Sequence, residues 1–186
     1  LMFVQGGQSL IYTLGKNEDN KKLLVNAMGR KWELTFTTLV TFGGALFASF
    51  PLFYATSFGG AYWVWMIILF AFIIQAVSYE YRSKANNIYG RKTFETFLVI
   101  NGFIGTILLG VVVGTLFNGA NFIVEFGHHG IKSSMWANKA HGLEALLNIH
   151  NVALGLSVFF LARILGVMFL QKHIEKESFI TPMRKQ

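Results

Sequence analysis

The sequence predicts an all-α membrane protein, a polytopic transmembrane helical bundle with four complete spans and the end of an earlier one. Of its 186 residues, 53% are hydrophobic and 13% are charged, a composition typical of integral membrane proteins. Apolar runs recur at the length of about 20 residues that a helix needs to cross the hydrocarbon core. The alternating stretches of about ten residues that form transmembrane β-strands do not occur.

The complete spans are expected at 35–58, 61–79, 94–117 and 145–170, and the partial one at 1–14. Residues 1–186 are treated as one transmembrane domain. Since the chain begins at Leu1 inside an apolar stretch and ends without a terminating motif, we expect further protein on both sides.

The connections between the spans differ in length. Residues 56–60 predict a tight turn that joins antiparallel neighbours. Residues 118–142 predict an irregular surface loop, with a short interfacial segment around Met135 and Trp136.

Positive charge predicts the orientation. The 16 Lys and Arg residues lie almost entirely between the apolar runs, in basic segments at 16–31, 82–92 and 172–186. The turn at Gly59 and the loop around His128 contribute only Lys132 and Lys139. The positive-inside rule therefore places the basic segments in the cytoplasm and explains the net charge of +7 without a nucleic-acid partner.

The absence of cysteine excludes disulfides, thiolate catalysis and Cys-ligated zinc or iron–sulfur centres in this chain. The glycine pairs Gly6-Gly7 and Gly43-Gly44 lack the Lys and Ser/Thr of a phosphate-binding loop. With Ala45, Ala48 and Ser49, the second pair instead predicts a surface where another helix can approach closely.

Glu33 has two interpretations. It lies near the cytoplasmic mouth of the first complete span, where a carboxylate beside Arg30 and Lys31 is stabilised by solvent and the helix dipole. An ionisable group at membrane depth is alternatively retained for proton movement, so Glu33 is a candidate proton entrance.

Other charged and aromatic residues favour structural roles. Glu80, Arg82 and Glu95 are expected to form solvated or interfacial charge pairs at the span ends. Aromatic side chains near the ends of the second span predict an aromatic belt; they are Trp63, Trp65, Tyr79 and Tyr81.

The entry to the last span is the most polar one. His141 and Glu144 are three residues apart, which would place them on one helix face, and Asn148, His150 and Asn151 follow. A metal or haem site needs a ligand pattern that this spacing does not match, so interhelical hydrogen bonding is the favoured role.

Two further groups have ordinary interpretations. His128 and His129 are expected to be exposed in the external loop. Arg163, near the end of the last apolar run, would snorkel towards the interface or pair with another subunit.

The run TFGGALFASFPLFYATSFGGAY at 41–62 resembles the pattern T-x-G-G-A-L-F-A-A-x-P-x-x-Y-A-x-x-F-S-G-x-Y of cytochrome bd-type quinol oxidase subunit II. LGKNED, beginning at Leu14, is similar to the family's L-G-R-N-D. Trp32-Glu33 and the Tyr81-Arg-Ser-Lys sequence add to the resemblance, which covers about 4–84; beyond that it is topological.

The resemblance implies a nine-helix subunit of a prokaryotic cytoplasmic membrane, beside a haem-bearing subunit I that oxidises quinol and reduces oxygen to water. Haems b and d would be in subunit I, so this chain would carry no haem ligand and no metal, and no catalytic residue of its own. The lipid bilayer and quinol or quinone complete the expected partners. Whether a structural quinone binds this subunit is left open.

The resemblance also suggests a proton route. The family has a tryptophan followed by an aspartate near the start of helix two, proposed to admit protons, and Trp32-Glu33 falls there with Glu in place of Asp. The family's D-G-F-D stretch falls, with a short gap, on Gln5-Gly6-Gly7-Gln8, where amides replace both carboxylates. Without the gap it falls on 1–4, which also lack an acid. Glu33, Gln5 and Gln8 are the predicted proton-pathway residues.

Two other functions remain as alternatives. A secondary transporter or channel module would use broken helices and a polar site near the bilayer midplane, whereas Pro51 is the one proline within an expected span. A membrane scaffold without a role in turnover is the second alternative.

Overall fold

The bundle of α-helices predicted from the sequence is confirmed by the computed structural model, which describes residues 1–119, 121–127 and 130–174. The elements in chain order are α1 (Met2–Gln8), α2 (Ile11–Leu14), α3 (Glu18–Ser49), α4 (Pro51–Gly60), α5 (Tyr62–Tyr81), α6 (Arg91–Asn118), β1 (Phe122–Gly127), β2 (Gly130–Trp136), a 3-10 helix (Leu143–Leu147) and α7 (Ile149–His173).

Within the described residues, three single helices are long and apolar enough to cross a membrane, namely α5, α6 and α7. Their 20, 28 and 25 residues correspond to about 30, 42 and 37 Å at a rise of 1.5 Å per residue. The expected spans 61–79, 94–117 and 145–170 fall on them. The last helix starts later than expected, at Ile149, because its cap Asn148 accepts a hydrogen bond from the His150 N–H only after the 3-10 turn.

The span expected over 35–58 is not one straight helix. It belongs to α3 and α4, which meet at Phe50 with a bend of 118°. Pro51 has no N–H to donate and restricts the residue before it, which explains a helix end at this point. If the bent pair counts as one broken span, the described residues hold up to four.

The N-terminal residues 1–14, expected as the tail of a helix, form the short helices α1 and α2. Helix α1 packs against α6 and α7. Gly6 lies against the backbone of Ala162, and Gly166 lies against Gly7, so a Cβ at Gly6 or Gly166 would collide with the opposite backbone. These glycines let α1 and α7 cross at very short distance.

The loop expected to be irregular contains an antiparallel hairpin. Strand β1 pairs with β2 from Phe122 opposite Trp136, with a register shift at Glu125 and Phe126. The indole N–H of Trp136 donates a hydrogen bond of 2.6 Å to the Gly59 carbonyl, which ties the hairpin to the end of α4. The predicted turn at 56–60 is itself helical, as the last part of α4. His128 and His129 lie outside the described residues.

Contacts at the two ends of the bundle agree with the predicted grouping of connections. The segments around Lys21, Arg82 and Glu95 meet at one end. Gly59 and Trp136 meet at the other. Which end faces the cytoplasm stays a prediction.

Candidate functional site

Four buried amides form a hydrogen-bonded cluster inside the bundle. The Asn101 side-chain amino group lies 3.0 Å from Gln5 Oε1, 3.2 Å from Gln8 Oε1 and 2.7 Å from Gln75 Oε1. Gln5 Nε2 also donates to Gln75 Oε1 at 2.8 Å. All four residues are at most 2% exposed. We call these residues the amide cluster.

Three helices position the cluster. Gln5 and Gln8 are three residues apart on α1 and therefore share a face, while Gln75 comes from α5 and Asn101 from α6. Gly102 follows Asn101, and a Cβ there would lie 2.7 Å from the Ser9 nitrogen. The glycine thus lets the α1 backbone approach α6 closely enough for side-chain amides to meet.

The cluster is rich in acceptors. One amino group has two hydrogens, yet three amide oxygens lie around Asn101 Nδ2. The Asn101 Oδ1 atom is buried without a hydrogen-bond partner in the described part of the chain. Amides donate and accept hydrogen bonds without titrating, so the cluster can orient water but cannot exchange a proton itself.

An aromatic pair connects the cluster to the sequence neighbour of Glu33. Gln8 Nε2 donates to the Tyr79 hydroxyl at 2.9 Å. The Tyr79 ring stacks on Trp32, with ring centroids 5.5 Å apart and 7° between the planes. Glu33 follows Trp32 on α3 and is exposed. The structure therefore brings Gln5 and Gln8 together but leaves Glu33 outside the cluster. The side chains of Tyr79 and Trp32 lie between Gln8 and the α3 segment that carries Glu33.

A second polar group is ionic. The Glu95 carboxylate is fully buried and lies 2.6 Å from the Arg82 guanidinium and 3.5 Å from Lys21 Nζ. Arg82 itself is 3% exposed. The expectation of solvated or interfacial pairs was therefore wrong for Arg82 and Glu95, because tertiary packing of α3, α5 and α6 encloses them. We call Lys21, Arg82 and Glu95 the ionic cluster.

Glu80 behaves as expected. It pairs with Lys84 at 2.8 Å, and both side chains are exposed. The hydrogen bond and the negative charge of Glu80 raise the pKa of Lys84. Exposed pairs of this kind contribute little to stability.

The two clusters lie along one seam between α5 and α6. Gln75 and Arg82 are seven residues apart and Asn101 and Glu95 six, so the separation along the helix axes is about 9–11 Å. Leu98 of α6 and Ser78 of α5, both fully buried, lie between them. The Ser78 hydroxyl donates to the Ile74 carbonyl of its own helix and not to either cluster.

The predicted packing surface at Gly43, Gly44 and Ala48 has no neighbour inside the described chain. A Cβ at Gly43 or Gly44 would have nothing within 4 Å, and Ala48 is exposed. Its role in the close approach of another helix stays a prediction. Among the glycines that do pack, Gly110 lies against the Gly155 backbone between α6 and α7.

The polar entry to α7 is arranged differently from the prediction. His141 has φ 46° and precedes the 3-10 helix, so it does not share a helix face with Glu144. Its ring packs on Trp136 with centroids 4.3 Å apart, whereas His150 is exposed. Within the described residues no three His, Cys, Asp or Glu side chains group as a metal site.

Sequence reasoning missed Gln75, Tyr79 and Asn101. Tyr79 was expected in an aromatic belt, and the two amides were passed over because the spans were searched for charges. The available signal was a lone amide in each of two apolar runs, since polar groups within membrane helices usually face a partner.

The family model described as cytochrome bd terminal oxidase subunit II matches residues 1–185. Cytochrome bd ubiquinol oxidase subunit 2 of Bacillus subtilis (strain 168) is 30% identical over 157 residues, which are 84% of this chain and 43% of the relative.

Two further relatives come from other bacteria. Cytochrome bd-I ubiquinol oxidase subunit 2 of Escherichia coli (strain K12) is 31% identical over 123 residues, 66% of this chain and 32% of the relative. The probable cytochrome oxidase subunit 2 of Haemophilus influenzae is 32% identical over 120 residues, 64% of this chain and 32% of the relative. The matched part of the chain thus spans between a third and a half of the relatives' length.

Proposed function

This chain belongs to the cytochrome bd terminal oxidase subunit II family, and on that premise we propose that it works as the non-haem subunit of a quinol oxidase in a prokaryotic cytoplasmic membrane. The observation that carries the proposal is the family match, which extends over residues 1–185 and so includes every helix of the candidate site. The partner would be the haem-bearing subunit I.

The reaction divides between the two subunits. Two quinols release four electrons and four protons, and one oxygen molecule takes up four of each to form two waters. Haems b and d in subunit I would supply the electron transfer and the oxygen chemistry.

The role of this chain in proton uptake would begin at Glu33. An exposed carboxylate on a long apolar helix can take up and release protons. Trp32 and Tyr79 form the contact between the α3 segment that carries Glu33 and Gln8 of the amide cluster. In this proposal Glu33 is the titrating group and the amides keep nearby water oriented.

The same amides set a limit on the route. Since they do not titrate, a proton that reaches Gln8 would have to move on water, and the core of α5 and α6 on the side away from the ionic cluster is an apolar group that includes Phe72, Leu108 and Val111. We therefore propose that protons taken up near Glu33 continue into subunit I rather than through the interior of this chain.

One observation favours the transporter alternative. The bend of 118° between α3 and α4 is the kind of broken helix that transporters place at a binding site. The residues that flank the break, Ser49, Phe50 and Pro51, carry no charge. A transporter would not be expected to co-purify with haem, so the haem content of the isolated complex distinguishes the two functions.

The proposal is tested by quinol-dependent oxygen consumption. A complex isolated through a tag on this chain should consume oxygen when a short-chain quinol is added and should stop when a quinol-site inhibitor is present. A stable complex that consumes no oxygen with any quinol would contradict it.

A further inference from the structure

A polar cavity lies at the end of the bundle opposite the ionic cluster, between the end of α6, the 3-10 helix and the start of α7. Its volume is about 150 Å³. The side chains that carry the argument are Thr115, Asn118, Glu144, Asn148 and Asn151. None of them belongs to the proposed proton route.

Glu144 supplies a buried carboxylate oxygen to the cavity. Its Oε2 atom is buried and makes no hydrogen bond within the described part of the chain. A polar oxygen buried without a donor or a counter-charge is costly. Water or a cation in the adjoining cavity would satisfy this oxygen.

Three donors around the cavity are already used by the protein. Asn118 Nδ2 donates to Asn151 Oδ1 at 2.7 Å, and Asn151 Nδ2 donates to the Ala145 carbonyl at 3.1 Å. The Thr115 hydroxyl donates to the Val112 carbonyl at 2.6 Å. The Glu144 carboxylate and the Thr115 hydroxyl oxygen still have lone pairs for a ligand, which suits a cation better than an anion.

The C-terminal ends of two helices and the N-terminal end of α7 meet at the cavity. Gly60 at the end of α4 and Asn118 at the end of α6 both line the cavity. The last carbonyls of a helix are unsatisfied and carry partial negative charge. The opposing N-terminus of α7 is capped by Asn148, whose side chain accepts from the His150 N–H.

We propose that this cavity binds a hard divalent cation of the calcium type, with the Glu144 carboxylate as its charged ligand and amide, hydroxyl and water oxygens as the others. Oxygen ligands in flexible number are what Ca²⁺ prefers, and the lining contains no imidazole or thiolate for a transition metal. A single carboxylate predicts weak binding, about 10⁻⁴–10⁻³ M as in extracellular modules. The bound ion would tie the ends of α4 and α6 to the start of α7.

Terbium luminescence tests the site without reference to oxidase activity. Trp65 packs on the buried group that contains Ala145, the residue after Glu144, so it can sensitise a Tb³⁺ ion bound there. The native complex with the full chain is washed with a chelator and titrated with Tb³⁺. We expect saturable emission that added Ca²⁺ abolishes.

Two matched variants assign the signal. Glu144→Gln should weaken Tb³⁺ binding at least about tenfold, because the charged ligand is lost. Glu125→Gln, the same substitution at an exposed position of β1, should leave binding unchanged. Equal emission from the wild type and Glu144→Gln, or no saturable emission from the wild type, would overturn the proposal and leave the cavity to water.

A third variant serves if Glu144→Gln fails to assemble. Asn148→Asp keeps a side chain that caps helices as well as asparagine does and adds a second carboxylate to the cavity. It should tighten Ca²⁺ binding about tenfold, since ligand charge sets affinity in such sites. An assembled Asn148→Asp complex with unchanged Ca²⁺ affinity would contradict the site.

Discussion

The guanidinium of Arg82 lies 2.6 Å from the carboxylate of Glu95, and the two side chains are 4% and 0% exposed. This pair joins the end of α5 to the first turns of α6, across a connection of nine residues, 82–90. It also orders the end of the bundle that gathers the basic segments, because Lys21 of α3 approaches the same carboxylate.

Replacement of one partner should be severe. Glu95→Gln leaves the Arg82 charge buried without its counter-charge, and breaking a buried pair in this way costs about 3–5 kcal/mol. We expect the variant to accumulate poorly and to denature at lower temperature in detergent. The matched Glu80→Gln change, in the exposed pair with Lys84, should have little effect. Equal thermal stability of the two variants would show that the ionic cluster is unimportant.

The hydroxyl of Tyr79 should stabilise the amide cluster. Tyr79→Phe keeps the ring that stacks on Trp32 but removes the acceptor for Gln8 Nε2, and a buried donor left unpaired costs about 1–3 kcal/mol. The matched change Tyr81→Phe, at an exposed ring, should be nearly neutral. Thermal denaturation of both purified variants measures the difference; if Tyr79→Phe is as stable as Tyr81→Phe, the hydrogen bond is not contributing.

Two glycines should respond differently to the same substitution. Gly6→Ala places a methyl group against the Ala162 backbone and should disrupt the crossing of α1 with α7, whereas Gly44→Ala meets nothing within 4 Å inside the described chain. We expect loss of folded protein for Gly6→Ala alone. If the helix that approaches Gly44 belongs to subunit I, Gly44→Leu should lower the yield of complex and spare this chain itself. Co-purification of a partner undiminished by Gly44→Leu would remove Gly44 from the interface.

Glu33 should matter for turnover. Glu33→Gln removes a titratable group at the proposed proton entrance, and we expect oxygen reduction to slow about 10²-fold or more if this carboxylate transfers protons. Glu33→Asp should retain much of the rate, since the resembling family has an aspartate there. Unchanged turnover and unchanged formation of the membrane potential in Glu33→Gln would exclude it from the mechanism and favour a scaffold role.

The long helices could be predicted because hydropathy over about 20 residues is a property of local sequence. Residues 35–58 were predicted as one span, whereas the structure bends at Phe50, directly before Pro51. A proline does not reveal whether a helix will kink slightly or turn sharply. The hairpin was missed although β1 is rich in Phe, Ile and Val and a Gly-containing turn follows it. The connection that contains the hairpin was predicted to be an irregular loop, because helices dominate the rest of the chain.

The site was less predictable than the fold. Gln5 and Gln8 were identified through a resemblance, and their burial agrees with a role in the interior. The partners Gln75 and Asn101 lie 70 and 96 residues from Gln5, and no local pattern specifies which distant amides will meet. Arg82 and Glu95 were likewise predicted to be solvated or interfacial, because their burial depends on how α3, α5 and α6 pack together.

The reduced-minus-oxidised absorption spectrum of the complex isolated through a tag on this chain tests the proposed function most directly. We predict the bands of b-type and d-type haems in amounts stoichiometric with the chain, contributed by a co-purifying larger subunit. A stable, homogeneous assembly that contains this chain and no haem would contradict its role in a quinol oxidase.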